Sequence, residues 1–344
     1  MERRIFISFP MNVPQIYEPL MREGFELIFG SEPSSPIASE TKEYTESELI
    51  ERCRDVDVIL STPRLPLTSK VLSSAGRLVC ICQRGVGVDN VDIQTASELG
   101  VLVTNAPVEI EFVSVAEHTV ALILALAKKL KAASNLMVLG ASAYFDDRVN
   151  TIILRGKTVG IIGLGRIGAK VAALLRPFNV KLLGYTRTRD WERAERLGVQ
   201  LVDLDVLLAE SDFVTIHVPL TAQTHHMISE KELALMKSTA YIINTSRGAI
   251  IDEAALINAL KSGKIAGAAL DVLEREPVVA DNPLLKMDNV VITPHIAGRN
   301  SETLIEGEKL AVENCLKILK CTIPEYVINP NAIPKWKERM KVQS

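Results

Sequence analysis

Three short stretches in the second half of the chain hold the side chains best suited to chemistry. "VVITPHIAG" (290–298) runs from apolar residues into Thr293 and Pro294 and then presents His295. "NTSRGAIID" (244–252) places Arg247 just beyond another apolar run, and "LDVLEREP" (270–277) carries Asp271 near the end of a third, with Glu276 before a proline. An imidazole donates and accepts protons near neutral pH. A guanidinium is a planar fork that matches a carboxylate, and an acid beside an imidazole selects its tautomer and favours its charged form. Taken singly, each residue has a plain explanation as a loop cap or a solvated charge. What argues for chemistry is that all three follow the end of a buried-looking strand, the edge at which open α/β sheets bind their ligands.

A fourth stretch, "TVGIIGLGRIGAKVAALL" (158–175), contains Gly163-x-Gly165-x-x-Gly168 between a strand pattern and a helix pattern. In that setting Gly163 permits the tight turn, Gly165 lets a pyrophosphate approach the backbone, and Gly168 lets helix and strand pack closely. Arg166 and Ile167 lie within the turn, where the helix N-terminus offers N–H groups to phosphate. The following apolar run ends in "GYTRTRD". A site for NAD carries an acid there, about 20 residues after the glycines, to hold the ribose 2′-hydroxyl. Here the position is filled by Thr186 and Arg187, a hydroxyl and a cation that suit a 2′-phosphate. The reading therefore favours NADP(H), with NAD(H) as the alternative; Arg187 and Arg189 as plain surface charges would remove the preference.

The elements that must position these residues alternate along the chain. "RIFISF" (4–9), "VDVIL" (56–60), "LVCIC" (78–82) and "VLVTN" (101–105) read as strands. A second series follows at 158–163, 181–185, 213–217, 241–245, 265–272 and 290–294. Helix patterns lie between them, two opened by capping boxes, Thr45 with Glu48 and Ser229 with Glu232. Strands apolar on both faces and separated by helices imply parallel, doubly wound sheets, and two series imply two α/β domains. The helix pattern at 111–131 is apolar nearly all round and reads as buried between domains or subunits. Another helix, about 300–319, returns the chain to the first domain, and the charged tail 331–344 reads as loosely packed.

The composition excludes several other classes. Net charge is −3 over 344 residues, with 47% hydrophobic and 24% charged residues, which leaves no electrostatic footprint for nucleic acid or an anionic membrane. No secretory apolar region follows "MERRIFISFP", and the apolar run Val120–Ala127 is too short to cross a bilayer. The five cysteines are scattered and odd in number, so neither a disulfide framework nor a zinc site is expected, and the compartment reads as cytoplasmic. "THHM" (224–227) hints at metal ligands, but no third ligand follows at suitable spacing; His217, His225 and His226 are read as structural, and no metal is expected. His118, within the apolar helix pattern, reads as packed rather than catalytic. Arg64 and Arg84 read as solvated loop arginines that could meet an anionic substrate.

The "GLGRIG" turn, "NTSRGAIID", "ALDVLEREP" and "TPHIAG", in this order and spacing, resemble the D-isomer-specific 2-hydroxyacid dehydrogenases, over roughly residues 50–325. "RGVGVDNVD" (84–92) and "AEHTVALILALAKKL" (116–130) resemble signatures of the same family. The resemblance implies a Rossmann cofactor domain, 108–296, inserted in a flavodoxin-like substrate domain, 1–107 plus 297–330, and a homodimer. It implies that Arg247 binds the substrate carboxylate, that His295 passes a proton to or from the substrate oxygen, and that Glu276 holds the other ring nitrogen. With less specificity it assigns Asp271 to the nicotinamide carboxamide, Thr245, Ser246 and Gly298 to the nicotinamide half, Val218 to the adenosine side, and Val86 and Gly87 to backbone contacts with substrate and cofactor. The chain departs from the family pattern at Thr186, at Arg84 beside the substrate loop, and in 139–156, which lacks a tryptophan often found there. The expected activity is reduction of a small 2-oxo acid such as glyoxylate or hydroxypyruvate, or the reverse reaction. Alternatives are an NAD-dependent D-3-phosphoglycerate dehydrogenase and a dinucleotide-sensing, corepressor-like binding protein.

Overall fold

The computed structural model describes residues 3–31, 44–138 and 146–343; part of the tryptophan-lacking stretch 139–156 lies outside them. The chain divides into two compact units, 1–111 with 300–344 and 112–299. The helix Ser301–Leu319, capped by Asn300, is thus the first element after the chain re-enters the first unit.

The first unit is built on five strands, β1 (Arg4–Ile7), β2 (Glu26–Phe29), β3 (Val58–Ser61), β4 (Cys80–Gln83) and β5 (Leu102–Thr104), in the order β2-β1-β3-β4-β5. All four pairings are parallel. β3, β4 and β5 are buried along their whole length, which is why they read as unbroken apolar runs. β2, "ELIF", was not apparent from sequence: it is an edge strand, partly exposed throughout, and lacks that pattern. The helix Glu46–Cys53 opens with the anticipated box, Thr45 Oγ1 accepting from Glu48 N–H and Glu48 Oε2 from Thr45 N–H at 2.8 Å.

The tail differs from the loose packing expected of it. Residues Ile333–Gln343 form a helix, and Trp336 is among the most deeply buried side chains of the first unit, packed with Ala332, Met340 and Ile318. One aromatic and two apolar residues at helical spacing anchor an otherwise charged segment.

The second unit holds seven parallel strands: β6 (Thr158–Ile162), β7 (Lys181–Tyr185), β8 (Val199–Leu201), β9 (Phe213–Ile216), β10 (Tyr241–Asn244), β11 (Gly267–Leu270) and β12 (Val290–Ile292). Their order is β12-β11-β10-β9-β6-β7-β8. The chain winds outward from β6 in both directions, so the order reverses between β6 and β9, where doubly wound sheets open a ligand crevice. Only β8, a three-residue edge strand, was not legible in the sequence.

The apolar helix expected at 111–131 runs over Glu109–Ala127 and a separate helix over Leu130–Val138, broken at Lys129, whose φ is 53°. The first is longer than the apolar run read from sequence. By length and composition it could cross a membrane, but half of its apolar window is buried, Ala116, Ile123 and Ala127 packing on β6 residues Val159 and Ile161.

Candidate active site

The glycine turn leaves β6 and enters the helix Arg166–Leu175, with Gly165 as N-cap and no side chain capping the end. Each glycine answers to a different restriction. Gly163 has φ 95°, and a Cβ there would lie 2.5 Å from the His217 carbonyl oxygen; at Gly168 a Cβ would lie 2.0 Å from the Gly163 carbonyl oxygen. A Cβ on Gly165 would meet nothing within 4 Å among the described residues. Two glycines are therefore demanded by the protein's own packing, while the third faces open space at an uncapped helix N-terminus. That is the arrangement a dinucleotide pyrophosphate fits. Arg166 and Ile167 are the first residues of this helix, and the Arg166 guanidinium lies over the Phe112 ring, 5.2 Å from its centroid.

Neighbouring strand ends carry the other residues expected beside a dinucleotide. Val218, past the end of β9, would touch a Cβ on Gly163, and its carbonyl accepts the Ser246 hydroxyl. Thr245 is buried, its hydroxyl 2.9 Å from that of Thr119. At the end of β7, Thr186 Oγ1 donates to the Thr188 carbonyl at 3.3 Å, and Arg187 is exposed beside it. Arg189 is engaged elsewhere, paired with Asp203 and lying over Trp191. Arg193 was not singled out from sequence: its Nη2 donates to the Gly165 carbonyl at 3.1 Å, which puts a second guanidinium at the glycine turn. It follows Gly165 by 28 residues on a surface helix, is half-buried, and has nothing in its local sequence to distinguish it from other arginines.

His295 lies two residues beyond the Thr293 that follows β12 and adopts a left-handed conformation, φ 55°. Its Nδ1 is 2.7 Å from Glu276 Oε2, which leaves Nε2 as the ring nitrogen that faces away from the pair. The other Glu276 oxygen accepts from the Leu273 N–H at 3.0 Å. Burial alone would raise the Glu276 pKa. The bond to His295, its charge, the Leu273 N–H and the nearby Arg247 outweigh that and hold the carboxyl below its usual range. Arg247 follows β10; its backbone carbonyl accepts from Asn244 Nδ2 at 2.8 Å and its Nη1 donates to the Ser246 carbonyl at 2.8 Å. The structure thus brings guanidinium, carboxylate and imidazole into one electrostatic neighbourhood.

Asp271 has a larger structural part than its expected cofactor contact implies. It is 1% exposed, and its Oδ1 accepts from the Thr293 hydroxyl at 2.5 Å and the Ile296 N–H at 2.9 Å, while Oδ2 accepts from the Ala297 N–H at 2.9 Å. Its backbone carbonyl takes the His295 N–H at 2.8 Å. One residue therefore fastens the backbone on both sides of the imidazole. His118 joins this network, its Nε2 3.0 Å from Thr293 Oγ1. Gly298 follows in the same turn.

Val86 and Gly87 belong to the first unit, in the loop after β4. Three successive carbonyls of this loop are tied down: Gly85 by the Ala106 N–H at 3.0 Å, Val86 by Asn105 Nδ2 at 2.8 Å and Gly87 by Gln83 Nε2 at 3.1 Å. Arg84 is not the solvated arginine expected. Its Nη1 pairs with Glu308 Oε2 at 3.2 Å, both side chains are buried, and Tyr17 donates its hydroxyl to the other Glu308 oxygen at 2.9 Å. That charge is neutralised inside the unit. Arg64, by contrast, is exposed.

The fold and this strand-end constellation together define a nicotinamide-dependent oxidoreductase built on two parallel-sheet domains. Residues 120–297 match the family model for the NAD-binding domain of D-isomer specific 2-hydroxyacid dehydrogenases. A glyoxylate reductase of Korarchaeum cryptofilum is 36% identical over 97% of this chain and 98% of its own length. A D-3-phosphoglycerate dehydrogenase of Methanocaldococcus jannaschii is 42% identical over 85% of this chain, which spans only 55% of that relative. The solved D-lactate dehydrogenase of Aquifex aeolicus, complexed with NAD and lactic acid, superposes with a TM-score of 0.81 at 32% identity, over 95% of this chain and 99% of that one. The chain belongs to the D-isomer specific 2-hydroxyacid dehydrogenase family, whose members are NAD(P)-dependent oxidoreductases of 2-hydroxy acids.

Proposed function

We propose that this protein reduces a small 2-oxo acid, of the glyoxylate or hydroxypyruvate class, to the D-2-hydroxy acid with NADPH, acting in the cytoplasm. The observation that carries the reading is the 2.7 Å bond between His295 Nδ1 and Glu276 with Arg247 beside it. The carboxylate binds one ring nitrogen, so the other is the one that donates a proton to the substrate's carbonyl oxygen, and it reclaims that proton in the reverse direction. Arg247 holds the substrate carboxylate as a planar fork meeting a planar anion. The dinucleotide, when bound, supplies or accepts the hydride. Gly163, Gly165 and Gly168 admit its pyrophosphate, and Arg166, Ile167, Val218, Thr245, Ser246 and Gly298 border it. Asp271, by fastening the backbone around His295, keeps the imidazole in place.

The preference for NADPH rests on Thr186 and Arg187 at the end of β7, where a carboxylate would repel a 2′-phosphate. An NAD-dependent D-3-phosphoglycerate dehydrogenase is the second reading, favoured by the identity to the longer relative, 42%. A panel of 2-oxo acids and 3-phosphohydroxypyruvate, each with NADPH and NADH and followed by nicotinamide absorbance, separates the two. Fastest turnover of glyoxylate or hydroxypyruvate with NADPH supports the first reading. Fastest turnover of the phosphorylated substrate with NADH replaces it with the second, and cofactor binding without turnover of any substrate returns the protein to the binding class. Thr186→Asp should move the cofactor preference toward NADH by tenfold or more; an unchanged ratio removes the argument from that strand end.

A further inference from the structure

The turn after β9 and the segment after β11 bring together three side chains that the reaction does not use. His226 Nε2 lies 2.8 Å from Glu274 Oε1, and the rings of His225 and His226 stack with centroids 4.0 Å apart. One ligand atom from each of the three lies within 4.8 Å of the others. The sequence offered His225 and His226 with no third ligand at useful spacing; the fold supplies one from 48 positions beyond His226.

We propose that His225, His226 and Glu274 bind a divalent cation of the Zn²⁺ class. Two imidazoles and a carboxylate favour Zn²⁺ and its neighbours over Mg²⁺ or Ca²⁺, which prefer oxygen ligands alone. Ligand bonds of about 2.0–2.2 Å to a tetrahedral ion place donor atoms roughly 3.3 Å apart. The His226–Glu274 spacing, 2.8 Å, opens to that value by small side-chain shifts, and the spacings to His225, at most 4.8 Å, close to it by rotation of the exposed His225 ring. Three protein ligands leave a coordination position for water, and the His226 and Glu274 side chains, 34% and 35% exposed, leave the site open to entry.

The group behind the carboxylate ligand is already in order, as a metal site requires. Glu274 Oε2 accepts the Glu253 N–H at 3.2 Å, and the Glu274 N–H donates to Glu253 Oε2 at 3.0 Å. Glu253 Oε1 in turn accepts from Asn282 Nδ2 at 2.7 Å. The backbone of His226 is held by its N–H bond to the Ala249 carbonyl at 2.8 Å. All three ligands stand on held backbone, His225 through its N–H to the Thr221 carbonyl at 2.9 Å, and the His225 side chain makes the largest adjustment. A cation here would tie the turn 221–228 to the segment that leads into Glu276, and so stabilise the second unit.

The test uses the full chain without an affinity tag, stripped with a chelator and dialysed, then titrated with ZnCl₂ by calorimetry at neutral pH and with Co²⁺ by visible absorption. The expected result is one Zn²⁺ per chain, bound more weakly as the pH is lowered, since metal binding competes with protons for its ligands. At Zn²⁺ one hundred times its dissociation constant, the unfolding midpoint should rise by roughly 5–10 °C. His225→Ala, His226→Ala and Glu274→Gln should each weaken binding tenfold or more. Glu274→Gln keeps an oxygen for the Glu253 N–H, so loss of binding there is not a loss of fold. His295→Ala, which removes a separate histidine–carboxylate pair, should leave Zn²⁺ affinity unchanged. Undiminished affinity in His225→Ala would reduce the cluster to a surface ion pair with a stacked neighbour and overturn the proposal. So would the absence of Zn²⁺ binding, or binding lost in His295→Ala and retained in His225→Ala.

Discussion

Replacing His295 by asparagine isolates the proton-transfer role from the backbone that presents it. The residue sits at φ 55°, where asparagine is tolerated and alanine costs about 1–2 kcal/mol of strain. Its N–H bonds to the Asp271 and Thr293 carbonyls, at 2.8 and 3.0 Å, do not involve the side chain and survive the change. The side-chain pair with Glu276 is 48% and 38% exposed, so its loss costs at most about 1 kcal/mol of stability after solvent screening. The unfolding midpoint should therefore fall by no more than roughly 2–4 °C. Removing a positioned general acid lowers the chemical step by about 10²–10⁴-fold, or roughly 2.7–5.5 kcal/mol of barrier. The expected outcome is a kcat reduced by that factor, with cofactor affinity, read by nicotinamide fluorescence, within a few-fold of the parent. A loss of less than tenfold in kcat, or collapse of cofactor binding at unchanged kcat, would refute the reasoning.

Thr293→Val removes the hydroxyl that joins Asp271 to His118 while keeping the side chain's shape, and should cost about 1.5–3 kcal/mol, the worth of one bond to a charged acceptor. Urea unfolding measures it, and kcat should fall more than the cofactor dissociation constant rises; the opposite split would place Thr293 outside the support of His295. Burial pushes the His217 pKa down to about 3, so between pH 6.5 and 3 the unfolded chain takes up a proton that the folded one refuses. Stability should therefore drop as pH falls, by about 2 kcal/mol from this residue between pH 7 and 5. In His217→Gln that part of the drop should vanish, and an identical pH dependence in both proteins would contradict the assignment. Trp336→Ala should destabilise the first unit by about 3–5 kcal/mol. Trp336→Phe should cost much less, because the buried indole N–H has no partner among the described residues; equal costs would show that the tail helix does not anchor through apolar contact.

Where a signal is local, the sequence was sufficient. Strands buried on both faces, such as β3, β6 and β10, announce themselves as unbroken apolar runs, and the capping boxes at Thr45 and Ser229 need only four residues to be read. The glycine turn and the three strand-end charges were likewise legible, because each belongs to one strand and the turn after it. The edge strands β2 and β8 were not, since a short strand paired on one side has no reason to be apolar throughout.

Only the tertiary structure decided which distant groups meet. Arg84 looked like a free surface cation until Glu308, 224 positions away, neutralised it in the core. Asp271 proved to hold the backbone around His295 through bonds to residues 22–26 positions further along, and His118 reaches Thr293 across 175. His225 and His226 lacked a third ligand until the winding of the sheet delivered Glu274. Side-chain type and spacing report what a residue can do within a turn or two of its own chain. Whether its charge is paired, or its ligand set complete, depends on a through-space neighbour that no short window of sequence contains.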